Sequence, residues 1–307
     1  MTDIYIDNLN QQFAITSPET SLRIVKGKGD IPLIELKNQL AEARISFQGA
    51  HLLSWLPSNQ DDVIWLSEEA RFLAGKSIRG GVPICWPWFG AHQSDDSFPA
   101  HGFARTVMWE LRGSEQLETG ETQIRFGLNT ERLSEELQKM WPYSTSVEYT
   151  LTLGASLKLE LKTTNNSAEE LVIGEALHTY FNINDIRTTQ VEGLDAKEYL
   201  DKPDNFKRKK QNGFIEIKEE VDRVYVKTAD DIVINDGLRK IKITKQGSQS
   251  TIVWNPWETV AEKMGDLGKD GYLQMLCVES ANADEDVIHL NAGKSHTLCV
   301  TYSVQDI

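Results

Sequence analysis

The 307-residue chain has few cysteines, no long apolar run and no excess of basic residues. Its three cysteines, Cys85, Cys277 and Cys299, are odd in number and far apart, which favours reduced thiols over a disulfide framework. No stretch approaches the roughly 18 apolar residues of a membrane span, and the first residues lack the apolar core of a signal peptide. These absences predict a soluble cytoplasmic protein.

The net charge of the chain indicates which class of molecule it binds. The formal net charge is −14, which makes the chain a poor candidate for binding nucleic acid or an anionic membrane. One short basic run at 207–210 is flanked by acidic residues, and we interpret it as a solvated loop. The composition therefore favours a small-molecule partner over nucleic acid or membrane.

Several familiar chemical motifs fail to match. Gly75-Lys76-Ser77 resembles the end of a phosphate-binding loop, but Ala70 stands where the first glycine belongs. Gly27-Lys28-Gly29 lacks the third glycine of a dinucleotide fingerprint. The six histidines show no zinc-binding spacing, and no Gly-x-Ser-x-Gly nucleophile motif occurs. The sequence therefore predicts no metal site.

Alternating apolar and polar residues dominate the secondary-structure signal. This period of two predicts half-buried strands in the ranges 147–153, 157–162, 224–227, 241–244 and 298–304. Clusters of Gly, Asn and Asp separate these runs, as turns require.

Helical signal is sparse. A short exposed helix is predicted over 131–140, and a second starts at Asn255, with Pro256 at its first position and Gly265 as its stop. Many strands and few helices, without β-α-β alternation, predict an all-β fold, a large antiparallel β-sandwich. We expect residues 1–307 to form a single domain.

The segment from Arg71 to Arg105 is chemically the densest. Between Arg71 and Ser94 there are two arginines and a lysine but no acidic residue, an island that an anionic ligand would need in so acidic a protein. Residues 77–90 combine paired glycines, prolines and aromatics in irregular sequence. They could form a binding loop or a buried aromatic plug.

Four residues stand out as candidates, each with a structural alternative. Arg79 and Arg105 could grip a phosphate with their planar guanidinium groups, or form ordinary surface ion pairs. His178 lies in an apolar, strand-like run and could be a core residue. Glu279 ends an apolar strand, so its carboxylate is either in water or held in a site, because burying it unpaired is costly.

Taken together, six segments resemble the glucose-6-phosphate 1-epimerase (hexose-6-phosphate mutarotase) family of the galactose-mutarotase-like superfamily. The resemblance covers about residues 35–303. The segments, in chain order, are Arg79-Gly80-Gly81-Val82-Pro83, His101-Gly102-Phe103-Ala104-Arg105, Leu177-His178-Thr179-Tyr180-Phe181, Asp222-Arg223-Val224-Tyr225, Trp254-Asn255-Pro256 and Cys277-Val278-Glu279.

The resemblance implies a fold and a reaction. It implies a large antiparallel β-sandwich, with His178 as general acid and Glu279 as general base. The implied reaction interconverts the α and β anomers of a hexose 6-phosphate, foremost D-glucose 6-phosphate, by opening and closing the sugar ring. One acid and one base suffice for it, and no cofactor is required because no hydride or electron moves.

The resemblance also implies the substrate contacts. Arg79 and Arg105 correspond to the phosphate-gripping arginines, Asp222 to an aspartate that binds sugar hydroxyls, and His101 lies in the same pocket. Some members carry a polar residue just before that histidine, where this chain has Ala100. One substrate contact is therefore expected to be missing or replaced.

Two other functions compete with this interpretation. One is a mutarotase for an unphosphorylated aldose, against which Arg79 and Arg105 argue. The other is a non-catalytic sugar-binding module, which would not need both His178 and Glu279.

Overall fold

The computed structural model describes residues 3–307 as a predominantly β structure. The described residues form three α-helices: α1 (Asp3–Phe13), α2 (Glu135–Met140) and α3 (Trp257–Met264). Single 3₁₀ turns occupy Lys28–Asp30, Ala104–Thr106, Thr130–Arg132, Lys202–Asp204, Gly271–Leu273 and Asp284–Asp286. Among residues 3–307, no helix has the length and apolar character needed to cross a membrane.

The strands follow one another along the chain, and the two longest connections, residues 58–83 and 86–109, flank β6. They are β1 (Ile15–Thr16), β2 (Ser21–Lys26), β3 (Pro32–Lys37), β4 (Ala41–Ser46), β5 (His51–Pro57), β6 (Ile84–Cys85), β7 (Glu110–Gln116), β8 (Thr122–Asn129), β9 (Thr145–Leu153), β10 (Ser156–Asn165), β11 (Leu171–Ile173), β12 (Glu175–Leu177), β13 (Tyr180–Asn182), β14 (Gln190–Glu192), β15 (Glu198–Asp201), β16 (Lys207–Lys210), β17 (Ile215–Glu216), β18 (Val221–Tyr225), β19 (Ile232–Asn235), β20 (Arg239–Gln246), β21 (Ser250–Asn255), β22 (Met275–Asn282), β23 (Ile288–Leu290) and β24 (Ser295–Asp306).

These strands form antiparallel sheets. A nine-stranded sheet runs in the order β17-β14-β19-β20-β24-β10-β9-β8-β7, and an eight-stranded sheet runs β16-β15-β18-β21-β22-β12-β6, with β13 also paired to β22. Strands β1 to β5 form a five-stranded sheet in chain order, and β11 pairs with β23. The predicted all-β, antiparallel architecture is confirmed.

The alternating sequence of the strands explains the core. In β10, Leu157, Leu159 and Leu161 are fully buried, whereas the charged residues between them keep part of their surface in solvent. Burying a leucine side chain stabilises a fold by about 1.5–3 kcal/mol. The core they join also contains Leu276 and Val278 of β22, so the nine- and eight-stranded sheets share one apolar layer.

Strand β22 is buried along its whole length because both of its faces are covered. Leu276 and Val278 face the main core, and the alternating residues Met275 and Cys277 belong to a separate buried cluster with Trp65 and Tyr180. The second face of the eight-stranded sheet, on which Cys277 and Glu279 both lie, therefore carries a buried cluster of its own.

Three local predictions need revision. The helix predicted over 131–140 is two separate elements, the 3₁₀ turn Thr130–Arg132 and helix α2. Helix α2 has its own N-cap, because the Ser134 side chain accepts a hydrogen bond from the Leu137 N–H. The basic run 207–210 is the edge strand β16 rather than a loop, since its backbone pairs antiparallel with residues 198–201 of β15, and the Lys209 side chain also forms an ion pair with Asp201. The strand predicted over 224–227 is β18, which starts earlier and ends at Tyr225.

Other local features agree with the sequence or were missed by it. The stop of helix α3 agrees with the prediction, because Gly265 caps its end in a left-handed conformation. Its start lies one residue later than predicted: Pro256 is the N-cap and Trp257 the first helical residue, whose N–H donates to the Asn255 side chain at 2.9 Å. The N-terminal helix α1 was not predicted. It is joined to β2 by two hydrogen bonds between the Asn10 amide and the Ile24 backbone.

We expect Gly81→Ala to destabilise the fold more than Gly75→Ala. Both glycines have positive φ, +72° and +75°. A Cβ on Gly81 would lie 2.5 Å from the Leu52 carbonyl oxygen, whereas a Cβ on Gly75 would meet nothing within 4 Å. The left-handed backbone alone should cost about 1–2 kcal/mol at Gly75, and the added clash should bring the loss at Gly81 to about 3 kcal/mol or more. Urea unfolding of both variants measures the difference, and equal losses would contradict it.

Candidate active site

His178 and Glu279 face each other across two adjacent strands. On one side of this position Leu177 lies opposite Ser280, and on the other Tyr180 lies opposite Cys277. The register is continuous, so His178, between β12 and β13, falls opposite Glu279 on β22. Directly opposed residues of an antiparallel pair have neighbouring side chains. Accordingly, His178 Nδ1 lies 3.4 Å from Glu279 Oε1.

The pair is enclosed by aromatic rings. The His178 ring stacks on Tyr180, with ring centroids 5.0 Å apart, and meets the Trp254 ring edge-on at 5.9 Å. His178 is 8% exposed and Glu279 is 1% exposed. Both groups therefore lie where water cannot solvate their charged forms.

Burial shifts the pKa of both groups towards neutrality. It raises the pKa of the Glu279 carboxyl well above its ordinary value, against the opposing effect of Lys202. It lowers the pKa of His178 well below its ordinary value, and His101, Arg105 and Arg79 add to this effect. We infer that the pair as a whole holds one proton near neutral pH.

Three cations surround the pair, and two of them already have carboxylate partners. Arg79 Nε lies 3.0 Å from Asp266 Oδ1, and its Nη1 donates to the Tyr180 hydroxyl at 2.9 Å. Lys202 Nζ lies 3.0 Å from an oxygen of Asp222. Arg105 donates to the Ala100 carbonyl at 2.9 Å and has no carboxylate partner within residues 3–307. It is the cation most available to an anionic ligand.

Lys202 was not predicted from the sequence. It follows β15 directly, and its ammonium group lies 5.2 Å from the centre of the Phe89 ring while it contacts Asp222. Burial raises the pKa of Asp222, and Lys202 opposes that rise. The signal in the sequence was weak, because a lysine beside a proline and two aspartates is typical of an exposed turn.

His101 lies beside His178 in an unusual backbone conformation. Its φ is +66°, and its Nδ1 accepts the Gly90 N–H at 3.3 Å. Burial, and then the charges of Arg105, Lys202 and Arg79, lowers the pKa of His101 to about 3. The ring is therefore neutral, and with Nδ1 accepting, the proton is on Nε2.

The six residues singled out from the sequence line one cavity of about 270 Å³. Small-molecule sites start at roughly 300 Å³, so this size suits a single sugar. The cavity is lined by Ser77, Arg79, Phe89, His101, Arg105, His178, Lys202, Asp222, Ile252, Trp254, Met264 and Glu279. A larger cavity of about 440 Å³, beside Trp65 and Phe72, contains none of the six.

Both interpretations of residues 77–90 apply, each to different side chains. Trp86 and Trp88 join the main core, as expected of an aromatic plug. Arg79 and Phe89 line the cavity, as expected of a binding loop. Ala100 is exposed, and its carbonyl holds the Arg105 guanidinium, so at this position the backbone makes the polar contact.

Comparison with known proteins identifies the family. The sequence profile described as aldose 1-epimerase matches residues 32–303. The chain belongs to the aldose 1-epimerase family. This is a family of sugar-processing enzymes, which agrees with a cavity that combines a buried histidine–carboxyl pair with polar side chains.

This aldose 1-epimerase family member is similar to two proteins by sequence and to one solved structure. A protein of Escherichia coli K12, provisionally named glucose-6-phosphate 1-epimerase, is 37% identical over 83% of this chain and 85% of its own. A Cenchrus ciliaris protein with the same provisional name is 35% identical over 80% and 76%. The crystal structure of a provisionally named mutarotase from Salmonella typhimurium has 31% identity and a TM-score of 0.86, covering 99% of this chain and 100% of that one.

The shared proton of His178 and Glu279 should make stability fall with rising pH. Above about pH 6.5 the unfolded chain leaves both groups unprotonated, whereas the folded pair keeps one proton because the pKa of Glu279 is raised. The folded state thus binds more protons, and the free energy of unfolding decreases as pH rises from about 6.5 to the pKa of the pair.

We expect Glu279→Gln to lose this decrease, because the pKa of His178 is lowered in the fold and above about pH 7.5 the remaining ring is neutral in both states. Urea unfolding of the wild type and the variant at pH 7.5, 8.0 and 8.5 measures the slope. Parallel stability curves for the two proteins would show that the folded pair does not hold the proton.

Proposed function

We propose that this protein interconverts the α and β anomers of a hexose 6-phosphate, with D-glucose 6-phosphate as the preferred substrate. The observation that carries the proposal is a buried pair, His178 and Glu279, in the same cavity as Arg105, whose guanidinium lacks a carboxylate partner within the described residues. The names of the relatives from Escherichia coli and Cenchrus ciliaris support this choice of substrate.

Anomer exchange needs one proton removed and one proton delivered. A base takes the proton of the C1 hydroxyl while an acid protonates the ring oxygen, the ring opens to an aldehyde, and C1 rotates before the ring closes. We assign Glu279 as the base and His178 as the acid, with the roles reversed on closure. Positioned groups of this kind accelerate a reaction roughly 10²–10⁴-fold.

The protonation state needed for this step differs from the one that burial favours. The step requires ionised Glu279 and protonated His178, whereas burial favours the neutral form of each. Both arrangements contain the same single proton. A phosphate dianion bound at Arg105 and Arg79 would offset the two positive charges that disfavour protonated His178, so the substrate itself would move the proton to the histidine.

The remaining cavity residues would each bind a different part of the sugar phosphate. Arg105 would hold the phosphate, with Arg79 beside it, although Asp266 already neutralises part of the Arg79 charge. The Asp222–Lys202 pair would bind sugar hydroxyl groups, since it offers both an acceptor and donors. His101 would add one neutral donor through Nε2. Contacts away from C1 orient the ring for proton transfer.

Two competing functions predict different behaviour. A mutarotase for free aldoses would not distinguish glucose from glucose 6-phosphate through Arg105. A sugar-binding module would bind both anomers without changing their rate of exchange. We further propose that residues 1–307 form one domain, that the protein is cytoplasmic, as its three free cysteines suggest, and that the reaction uses no cofactor.

We expect His178→Ala and Glu279→Gln each to lower turnover by at least about a hundredfold, because each removes one of the two proton-transfer groups. The assay feeds α-glucose 6-phosphate to a dehydrogenase specific for the β anomer. The matched control is Glu175→Gln, which alters another fully buried carboxyl outside the cavity and should leave turnover near the wild-type value. Near-normal turnover in a folded His178 or Glu279 variant would refute the assignment.

We expect Arg105→Ala to reduce kcat/KM for glucose 6-phosphate far more than for glucose. A charge-assisted contact contributes about 1.5–3 kcal/mol, which corresponds to roughly a ten- to hundredfold loss. Added salt should weaken substrate affinity in the wild type and matter less in the variant. Arg187→Ala, at an exposed arginine that pairs with Asp185, serves as control. If the ratio of kcat/KM for the two sugars is unchanged in Arg105→Ala, the arginine does not recognise the phosphate.

A further inference from the structure

Cys277 lies beside the His178–Glu279 pair, although neither the resemblance nor the proposed reaction gives it a role. It is two residues before Glu279 on β22, and the two side chains therefore share a face of the sheet. The thiol is fully buried. One ligand atom from each of His178, Cys277 and Glu279 can be chosen so that all three lie within 4.8 Å of one another.

Two atoms of this cluster lack partners. His178 Nδ1 and Glu279 Oε2 are buried and make no hydrogen bond to any of residues 3–307. Buried polar atoms are normally satisfied in folded proteins, and exceptions call for an explanation. Here the exceptions are a nitrogen and an oxygen on side chains that also approach a thiol sulfur.

The donor set has the chemistry of a zinc site. Zn²⁺ binds sulfur, imidazole nitrogen and carboxylate oxygen at about 2.0–2.3 Å, so its ligand atoms lie ~3.3–3.6 Å apart. His178 Nδ1 and Glu279 Oε1 already lie 3.4 Å apart, and one ligand atom of each of the three residues lies within 4.8 Å of the other two, so a small adjustment would bring the set to zinc-binding distances. A thiolate together with an imidazole selects zinc over magnesium or calcium.

The surrounding charges allow a divalent cation to enter. Of the three cavity cations, Arg79 and Lys202 are paired with Asp266 and Asp222, so Arg105 is the one that opposes a metal ion without such compensation. A carboxylate and a thiolate would supply two negative charges once their protons are displaced. The cavity side would remain open for a fourth ligand, such as water.

We infer that His178, Cys277 and Glu279 form an inhibitory site for a thiophilic divalent cation, with Zn²⁺ as the physiological candidate. The bound ion occupies the two side chains that transfer protons, so a loaded protein cannot catalyse anomer exchange. The inhibitory consequence rests on the proposed function, whereas the binding does not. The sequence concealed this site because its ligands come from two separate segments without zinc-site spacing.

The binding is tested with Co²⁺ as a spectroscopic probe of the full-length protein. A thiolate ligand gives Co²⁺ a near-ultraviolet charge-transfer band, and we expect the wild type to develop this band to a stoichiometry of one ion per chain. Cys277→Ser should lose the band. Cys85→Ser, which alters another fully buried thiol, should keep it. Cys277→Ala provides a second variant, and circular dichroism confirms that each variant is folded.

Inhibition is measured with Zn²⁺ as the ratio of inhibited to uninhibited turnover within each variant. The Zn²⁺ concentration for half-inhibition should rise at least ~tenfold in Cys277→Ser, since losing even a supporting contact weakens metal sites by about 10–100-fold. It should stay unchanged in Cys85→Ser. A chelator should restore full turnover to the zinc-treated wild type.

Four outcomes would overturn the inference. They are absence of the cobalt band in the wild type, persistence of the band in folded Cys277 variants, half-inhibition at the same Zn²⁺ concentration with and without Cys277, and loss of turnover on chelation with recovery on adding zinc. Failure of the proposed function is separate. A wild type that shows the cobalt band but no epimerase activity would retain the metal site and lose the assigned reaction.

Discussion

The site depends on one constraint, the direct opposition of His178 and Glu279 across antiparallel strands. Backbone hydrogen bonding on both sides of this position fixes the register, and a slip of either strand by one residue would turn its side chain away from the partner. Strand β22 is buried on both faces, so the pair has little room to move. The distance between the His178 and Glu279 side chains is therefore set by the sheet rather than by a loop.

The same arrangement makes the charged forms of both side chains unfavourable. A carboxyl and an imidazole are held at 3.4 Å in a place that disfavours the charged form of each. Perturbed groups of this kind are typical of functional sites, where strain in the free protein becomes useful once a ligand binds. A bound anion would balance the positive charges of Arg105 and Arg79. The site without a ligand would therefore lack a negative charge that a charged substrate supplies.

The negative charge of the whole chain and the positive charge of the cavity have opposite effects on an approaching anion. A net charge of −14 repels anions in general, whereas Arg79, Arg105 and Lys202 concentrate positive charge at one place. Two of these cations are balanced by Asp266 and Asp222, which limits their mutual repulsion before a ligand arrives. Under the proposals made above, the uncompensated Arg105 recognises an anion and the Cys277 thiol binds a thiophilic metal ion.

The sequence by itself determined several of the long strands and the segments that supply the site. Alternation in 157–162 fixes which leucines are buried, and the motifs around Arg79, His101, His178, Asp222 and Glu279 could be read because each is continuous. What the tertiary structure decided are relations between distant segments: Asp266 occupies Arg79, Lys202 joins Asp222, and Cys277 approaches His178. The physical reason is that periodicity records which face of a strand is buried, whereas contacts between strands depend on sheet order and register.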